Sequence, residues 1–107
     1  MDDLEKALAR AENEPVVFYK HSTTCSLSAR TQRAVAELNR PDDPPVYRVV
    51  VQEARAVSDA IAERFAVRHE SPQVLVVYGD AVLHDASHTR IAIDEIRTAS
   101  TEVAYDE

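Results

Sequence analysis

Residues 16–28 read VVFYKHSTTCSLS and contain an apolar run, a polar loop and the start of a predicted helix. The run Val16–Tyr19 is short and continuously apolar, which is typical of a strand buried on both faces of a parallel sheet. Two residues suited to helix capping, Thr23 and Thr24, come just before Cys25, and a helix is predicted from Cys25 to about Asn39. The sequence therefore predicts a strand–loop–helix unit with its cysteine in the first helical turn.

Further helices and strands are predicted on both sides of this unit. Helical spacing of apolar residues predicts a helix before Pro15, a third helix over Val57–Phe65 and a last helix carrying Ile91, Ala92 and Ile96. Strands are predicted at Val46–Val51, at Val74–Tyr78 and at Ala81–His84, the last two joined by a turn at Gly79-Asp80. We expect Ser87 to cap the last helix and the tail from about Ser100 to be frayed.

The predicted order of elements is α-β-α-β-α-β-β-α. Two strand–helix–strand units with right-handed crossovers, followed by a hairpin, form a four-stranded mixed sheet flanked by helices. This is the arrangement of the thioredoxin fold, an α/β class. The length of 107 residues favours a single thioredoxin-like domain over residues 1–107.

Composition excludes several classes of function. The net charge of −7 argues against nucleic-acid binding, because neutralisation of phosphates supplies most of that affinity. No apolar run approaches the roughly 18 residues that span a bilayer, so no membrane partner is expected. The acidic N-terminus and the single cysteine favour a cytoplasmic protein, since neither a secretory leader nor an internal disulfide is indicated.

Cys25 is the candidate catalytic residue. A thiol attacks a disulfide as thiolate, and the first turn of a helix favours that charge through free N–H groups and the helix dipole. Lys20 and His21 add positive or polarisable groups, so we expect Cys25 to ionise more readily than a free cysteine. The supporting loop of Ser22, Thr23, Thr24, Ser26 and Ser28 is expected to face solvent. The alternative is an inert, buried thiol.

Ser28 stands three residues after Cys25, where a dithiol protein carries its second cysteine. Because serine cannot close an intramolecular disulfide, a mixed disulfide on Cys25 has to be resolved by another thiol molecule. The Cys-x-x-Ser pattern therefore predicts monothiol chemistry.

Ser71-Pro72 precedes the third predicted strand. In a thioredoxin-like chain this position suggests a cis-proline loop opposite the reactive cysteine, with backbone groups that pair with a bound peptide or thiol. The alternative is a trans proline at the start of a strand. His69, next to this loop, is a further candidate for the binding groove.

Residues 20–28 strongly resemble the Lys-His-Ser-Thr-Thr-Cys-Pro-Ile-Ser segment of the monothiol bacilliredoxins, thioredoxin-like general-stress proteins of bacillithiol-using bacteria. The resemblance covers nearly the whole chain, through Val51-Gln52, Arg55, Ser58, Ile61-Ala62-Glu63, His69-Glu70-Ser71-Pro72-Gln73, Ser87-His88 and Ile91.

The resemblance implies removal of bacillithiol from S-bacillithiolated proteins, with Cys25 as the attacking thiolate. Pro72 is then the cis-proline, in a substrate groove formed by His69, Ser71, Pro72 and Gln73. The small thiol is a co-substrate, thiol-modified proteins are the partners, and no resident cofactor is expected. Lys20, His69 or Arg30 are candidates to meet the carboxylates of the small thiol.

Ser26 departs from the family pattern, which has proline after the cysteine. Serine restores an N–H group and adds a hydroxyl, which leaves the identity of the small thiol open. Two other functions also stay open, a redox-sensing or redox-inactive binding module and a glutaredoxin-like carrier of an iron–sulfur cluster. The four histidines do not form the close ligand pairs of a zinc site, so no metal is expected.

Overall fold

The structure is a computed structural model that describes residues 2–24 and 26–105. Its elements follow the predicted order, which confirms the thioredoxin-like α/β class. In chain order they are α1 (Asp2–Ala11), β1 (Val16–His21), α2 (Ser26–Val35), β2 (Val46–Val50), α3 (Arg55–Phe65), β3 (Gln73–Tyr78), β4 (Ala81–Ser87), a short 3₁₀ helix (His88–Arg90) and α4 (Ile93–Tyr105).

The four strands form one mixed sheet in the order β2-β1-β3-β4. Strand β1 pairs in parallel with β2, where Val17 lies opposite Val46, and antiparallel with β3, where Lys20 lies opposite Gln73. Strand β4 pairs antiparallel with β3. The centre of the sheet therefore carries β1, whose C-terminal end leads directly into the loop before Cys25.

The core lies in two layers, one on each face of the sheet. Val16 and Phe18 of β1 face the layer with α1 and α3, whereas Val17 and Tyr19 face the layer with α2 and α4. All four side chains are at most 1% exposed, as predicted for a strand covered on both faces. Burial of a large apolar side chain contributes about 1.5–3 kcal/mol, so β1 anchors both layers.

Several predicted boundaries were wrong. Helix α2 ends at Val35, because the backbone tightens into turns in which Glu37 N–H bonds Ala34 O and Leu38 N–H bonds Val35 O. Ser87 is the last residue of β4, paired with Gln73, and makes no capping hydrogen bond. The strand thus extends past the predicted His84.

Helix α4 begins at Ile93 and continues to Tyr105, whereas the sequence predicted fraying from about Ser100. Two hydroxyls of this segment bond the helix itself, since Ser100 Oγ and Thr101 Oγ1 both donate to the Arg97 carbonyl. Ala99 packs against the core, so the helix is held on its inner side as well.

The turn at Gly79-Asp80 joins β3 to β4 as predicted. Gly79 has a φ of +60°, in the left-handed region that favours glycine. Its N–H donates to the Ala11 carbonyl at 2.7 Å, so the hairpin is tied to the end of α1.

Candidate active site

Cys25, the predicted catalytic residue, lies outside the described residues. Its neighbours in sequence are described, since Thr24 closes a turn after β1 and Ser26 is the first residue of α2. The predicted strand–loop–helix unit is therefore present on both sides of the cysteine. Thr23, Thr24 and Ser26 are exposed.

Two residues of the loop are not exposed, which corrects the expectation that all its hydroxyls face solvent. Ser28 is fully buried and Ser22 is 6% exposed. The Ser22 N–H donates to Ser28 Oγ at 3.3 Å, so Ser28 supports the loop from below. The serine that occupies the second-cysteine position therefore has a structural contact of its own.

Gln52 holds the loop from the opposite side. Its Oε1 accepts from the Thr23 N–H at 3.2 Å, and its Nε2 donates to Ser22 Oγ at 2.9 Å and to Thr24 Oγ1 at 3.2 Å. The Val51 N–H donates to the His21 carbonyl. This bond continues the β1–β2 pairing to the residue before Gln52. Gln52 was not among the predicted site residues. Its position directly after β2, which runs parallel to β1, could have indicated that it lies near the loop before Cys25.

Tyr19 and His21 form a buried polar contact under the start of α2. The Tyr19 hydroxyl donates to the Ser28 carbonyl at 3.2 Å and lies 2.8 Å from His21 Nδ1. Burial raises the pKa of Tyr19 to about 12. Burial, and then the charge of Arg48, lower the pKa of His21, so this imidazole is neutral near pH 7 and adds no positive charge to the loop.

Lys20 was a candidate to meet the carboxylates of the small thiol, and its burial makes that direct contact wrong. The side chain is fully buried on the α3 side of the sheet, where Nζ donates to Ser58 O at 3.0 Å and to His69 Nδ1 at 3.2 Å. Burial lowers the pKa of Lys20, and the charge of Asp59 partly opposes that effect. Lys20 thus lies beneath the surface and acts on it through its charge and its hydrogen bond to His69.

His69 is exposed and lies above Lys20. Its Nδ1 is also 3.1 Å from Ser58 Oγ. Burial, and then the charge of Lys20, lower the pKa of His69. The imidazole is therefore neutral near pH 7, with Nδ1 as an acceptor and the proton on Nε2.

The Ser71-Pro72 peptide bond is cis, as the sequence predicted. Pro72 is buried, and its carbonyl accepts from the His88 N–H at 3.0 Å. The 3₁₀ helix that begins at His88 contacts α2, which brings this loop beside the helix that follows Cys25. Ser71 is half-buried.

Gln73, expected in the open groove, is only 1% exposed. Its Nε2 donates to the Arg68 carbonyl at 2.9 Å, with a weaker contact to Ser87 Oγ at 3.4 Å, and its Oε1 has no hydrogen-bond partner in residues 2–24 and 26–105. The side chain points inward because Gln73 shares its sheet face with Lys20, its partner across the β1–β3 ladder. Gln73 therefore belongs to the buried support of the site.

A cavity of about 200 Å³ opens between the β2–α3 connection and His69. It is lined by Val51, Gln52, Arg55, Ser58, Asp59 and His69. Arg30, the third candidate cation, is exposed on α2. Gln52 contacts both this cavity and the loop before Cys25, so the two features are adjacent.

Neither a metal-binding cluster nor a membrane-spanning helix is present in the described part of the chain. No group of three or more potential ligands there could hold a metal ion. None of the helices in these residues has the length and apolar character needed to cross a bilayer.

Comparison with known proteins decides the family. The family model for the monothiol bacilliredoxin BrxC matches residues 1–96, which includes the Cys-x-x-Ser segment and the cis-proline loop. The chain belongs to the monothiol bacilliredoxin family.

Solved structures agree with the thioredoxin fold. The bacilliredoxin is similar to a structure described as a candidate oxidoreductase with a thioredoxin fold, with 30% identity and a TM-score of 0.79 over 92% of this chain and 87% of that one. It also shares the fold of a mutant thioredoxin from Halobacterium salinarum NRC-1, with 16% identity, a TM-score of 0.70 and coverage of 95% and 83%. Thioredoxin O2 from Arabidopsis thaliana gives 20% identity, a TM-score of 0.70 and coverage of 95% and 87%. Family and fold together give this bacilliredoxin a thiol redox role.

Proposed function

We propose that this bacilliredoxin removes a low-molecular-weight thiol of the bacillithiol class from mixed disulfides on proteins, with Cys25 as the attacking sulfur. The observation that carries the proposal is the family match over residues 1–96, in which the only cysteine of the chain lies in a Cys-x-x-Ser segment. The small thiol is a co-substrate, and no resident cofactor takes part.

The reaction consists of two thiol–disulfide exchanges. In the first, the Cys25 thiolate attacks the small-thiol sulfur of a protein–S–S–R disulfide, forms Cys25–S–S–R and releases the protein thiolate. In the second, a free RS⁻ attacks the R-group sulfur of that intermediate, forms R–S–S–R and releases the Cys25 thiolate. The modified protein is reduced by two electrons, and two molecules of the small thiol end as one disulfide.

The described residues support this chemistry around the cysteine. The first turn of α2 begins at Ser26, and unpaired N–H groups at a helix start favour a thiolate. Thr23 and Thr24 are held by Gln52, which restricts the loop that leads into Cys25. Ser71 and Pro72 would contact the bound disulfide through the backbone, and His69 would border the small thiol.

The decisive experiment follows thiol transfer by intact-protein mass spectrometry. A bacillithiol-modified substrate protein is incubated with the wild type or with Cys25→Ala, first alone and then with excess free thiol. We expect the wild type to take the bacillithiol mass from the substrate and to lose it again when free thiol is added. Cys25→Ala should leave the substrate modified. A Ser26→Pro variant, which restores the family residue, measures whether that residue changes the transfer.

Two outcomes would overturn the proposal. An adduct on Cys25 that excess thiol does not release would favour the redox-sensing module. Absence of transfer, together with visible absorbance after anaerobic addition of iron and sulfide, would favour the iron–sulfur carrier.

A further inference from the structure

The cavity beside the loop carries charges of both signs on its walls. Arg55 and Asp59 are exposed and lie four residues apart on α3, so their side chains lie on one face of the helix. Within residues 2–24 and 26–105, neither forms an ion pair or a hydrogen bond with another side chain. His69 also lines the cavity and carries its proton on Nε2. Within the described residues Arg55 is thus a cation on the cavity wall that forms no ion pair, although Asp59 shares its helix face.

Lys20 places a second positive charge behind this wall. Its ammonium is fully buried, its two hydrogen-bond partners, the Ser58 carbonyl and His69 Nδ1, are neutral, and the charge of Asp59 offsets only part of the cost of burial. A buried charge is costly unless an opposite charge compensates it. Ser58 and His69 line the cavity, so an anion bound there would lie one layer of side chains from the ammonium.

The position and size of the cavity restrict what it can hold. Gln52 lines it and also donates to Thr24 Oγ1, one residue before Cys25 in sequence. Its volume of about 200 Å³ is below the range of about 300–1,000 Å³ that is typical of pockets for drug-sized ligands. A short charged arm of a ligand held nearby fits this space better than a peptide segment does.

We propose that this cavity binds a carboxylate group of the small thiol while that thiol is disulfide-bonded to Cys25, with Arg55 as the contacting cation. Lys20 contributes attraction from below, and Asp59 repels the carboxylate and so limits how much negative charge the cavity accepts. The inference rests on the proposed function, because it requires a mixed disulfide on Cys25. It names the chemical feature by which the protein selects among small thiols.

The test is a competition between two simple thiols. The protein is equilibrated near neutral pH with equal amounts of 3-mercaptopropionate, which carries a carboxylate, and 2-mercaptoethanol, which is neutral, together with their disulfides. Intact-protein mass spectrometry gives the ratio of the two adducts on Cys25. The ratio in each variant is divided by the wild-type ratio, so that the intrinsic chemistry of the thiols cancels.

We expect Arg55→Gln to lower the ratio of carboxylate to neutral adduct about three- to fivefold, the size of one partly exposed ion pair. Asp59→Asn should raise the ratio. Arg64→Gln is the matched control. Arg64 lies on the same helix, but its ion-pair partner is Asp80, away from the cavity, so its replacement should leave the ratio unchanged.

The results separate the two proposals. If both adducts form and the ratio is unchanged in Arg55→Gln and in Asp59→Asn, the carboxylate site is wrong while thiol exchange at Cys25 stands. If neither thiol forms an adduct, the exchange chemistry fails and the carboxylate site fails with it.

Discussion

Lys20 and Ser28 are polar residues that the fold removes from solvent. The sequence places both beside the cysteine, and residue type alone favours exposure for each of them. Their burial depends on partners that lie far along the chain or on the other side of the loop, namely Ser58 and His69 for Lys20 and the Ser22 amide for Ser28. Such partners are set by the tertiary fold and leave no local pattern.

The burial of Lys20 predicts a pH-dependent stability. Because burial lowers the pKa of Lys20, the folded protein binds fewer protons here than the unfolded chain does. At pH values below the folded pKa, the buried charge therefore reduces the free energy of unfolding by its full amount. This penalty decreases as the pH rises from the folded pKa to the ordinary value of 10.5. We expect the free energy of unfolding of the wild type to rise relative to Lys20→Met between pH 7 and 10.5, by about 1.4 kcal/mol for each pH unit between the two pKa values.

Urea unfolding of both proteins at a series of pH values measures this difference. Titrating groups distant from Lys20 cancel between the two proteins, and the comparison is made at alkaline pH because Lys20 also lowers the pKa of His69. A difference that stays constant up to pH 10.5 would show that Lys20 titrates in the folded protein as it does in the unfolded chain.

At the scale of elements, the connection after β2 supports the connection after β1. Three hydrogen bonds join the Gln52 amide to Ser22, Thr23 and Thr24. The parallel pairing of β1 with β2 was predicted from the strand–helix–strand pattern, and it places the C-terminal ends of both strands at the same edge. The contact itself could not be predicted, because it depends on how each loop turns after its strand.

Replacing Gln52 with leucine tests this support. We expect Gln52→Leu to lower the free energy of unfolding by about 1 kcal/mol, since two of the three bonds are exposed and water replaces part of them. Amide hydrogen exchange at Thr23 and Thr24 should become faster. The matched control is Gln32→Leu, which removes a glutamine bonded to Arg48 at another place on the surface. Unchanged exchange at Thr23 and Thr24 in Gln52→Leu would contradict the assigned role.

The predicted boundaries were wrong where two kinds of structure compete for the same residues. Ser87 suits a helix cap by residue type, but the β3–β4 ladder extends to it through its pairing with Gln73. The last turn predicted for α2 has the apolar spacing of a helix through Leu38, yet its backbone forms tighter turns there. Leu38 still packs in the core, so the periodicity predicted its burial and missed the geometry.

At the scale of the whole molecule, polar contacts at the edge of the core fix α4 to the rest of the fold. Arg97 of α4 donates to both carboxylate oxygens of Asp43, at 2.9 and 3.2 Å, and to the Glu37 carbonyl. These bonds join the last helix to the connection between α2 and β2. The order of apolar segments predicted a sheet with helices on both faces. The hydrogen bonds of Arg97 could not be predicted, because they depend on how α4 packs in the folded protein.

The Asp43 contact predicts acid sensitivity. The hydrogen bond from Arg97 lowers the pKa of Asp43 below its ordinary value of 3.8. The stabilisation is therefore complete above the ordinary value and is lost as the pH falls through the folded pKa. We expect Asp43→Asn to unfold at a lower urea concentration than the wild type at pH 7, and the gap to close in strong acid.

Asp42→Asn is the control, because this exposed neighbour has the same charge and forms no ion pair within the described residues. An equal loss of stability in both variants at pH 7 would mean that net charge, and not the contact with Arg97, is responsible.

The serine at the second-cysteine position has a consequence for how this protein could change into a dithiol enzyme. Its hydroxyl accepts the Ser22 amide in a fully buried place, and a sulfur there is larger and a weaker acceptor. Ser28→Cys would therefore supply a second thiol, but it would also weaken the hydrogen bond that supports the loop before Cys25. We therefore expect Ser28→Cys to need a compensating change near Ser22 before it could form a stable internal disulfide.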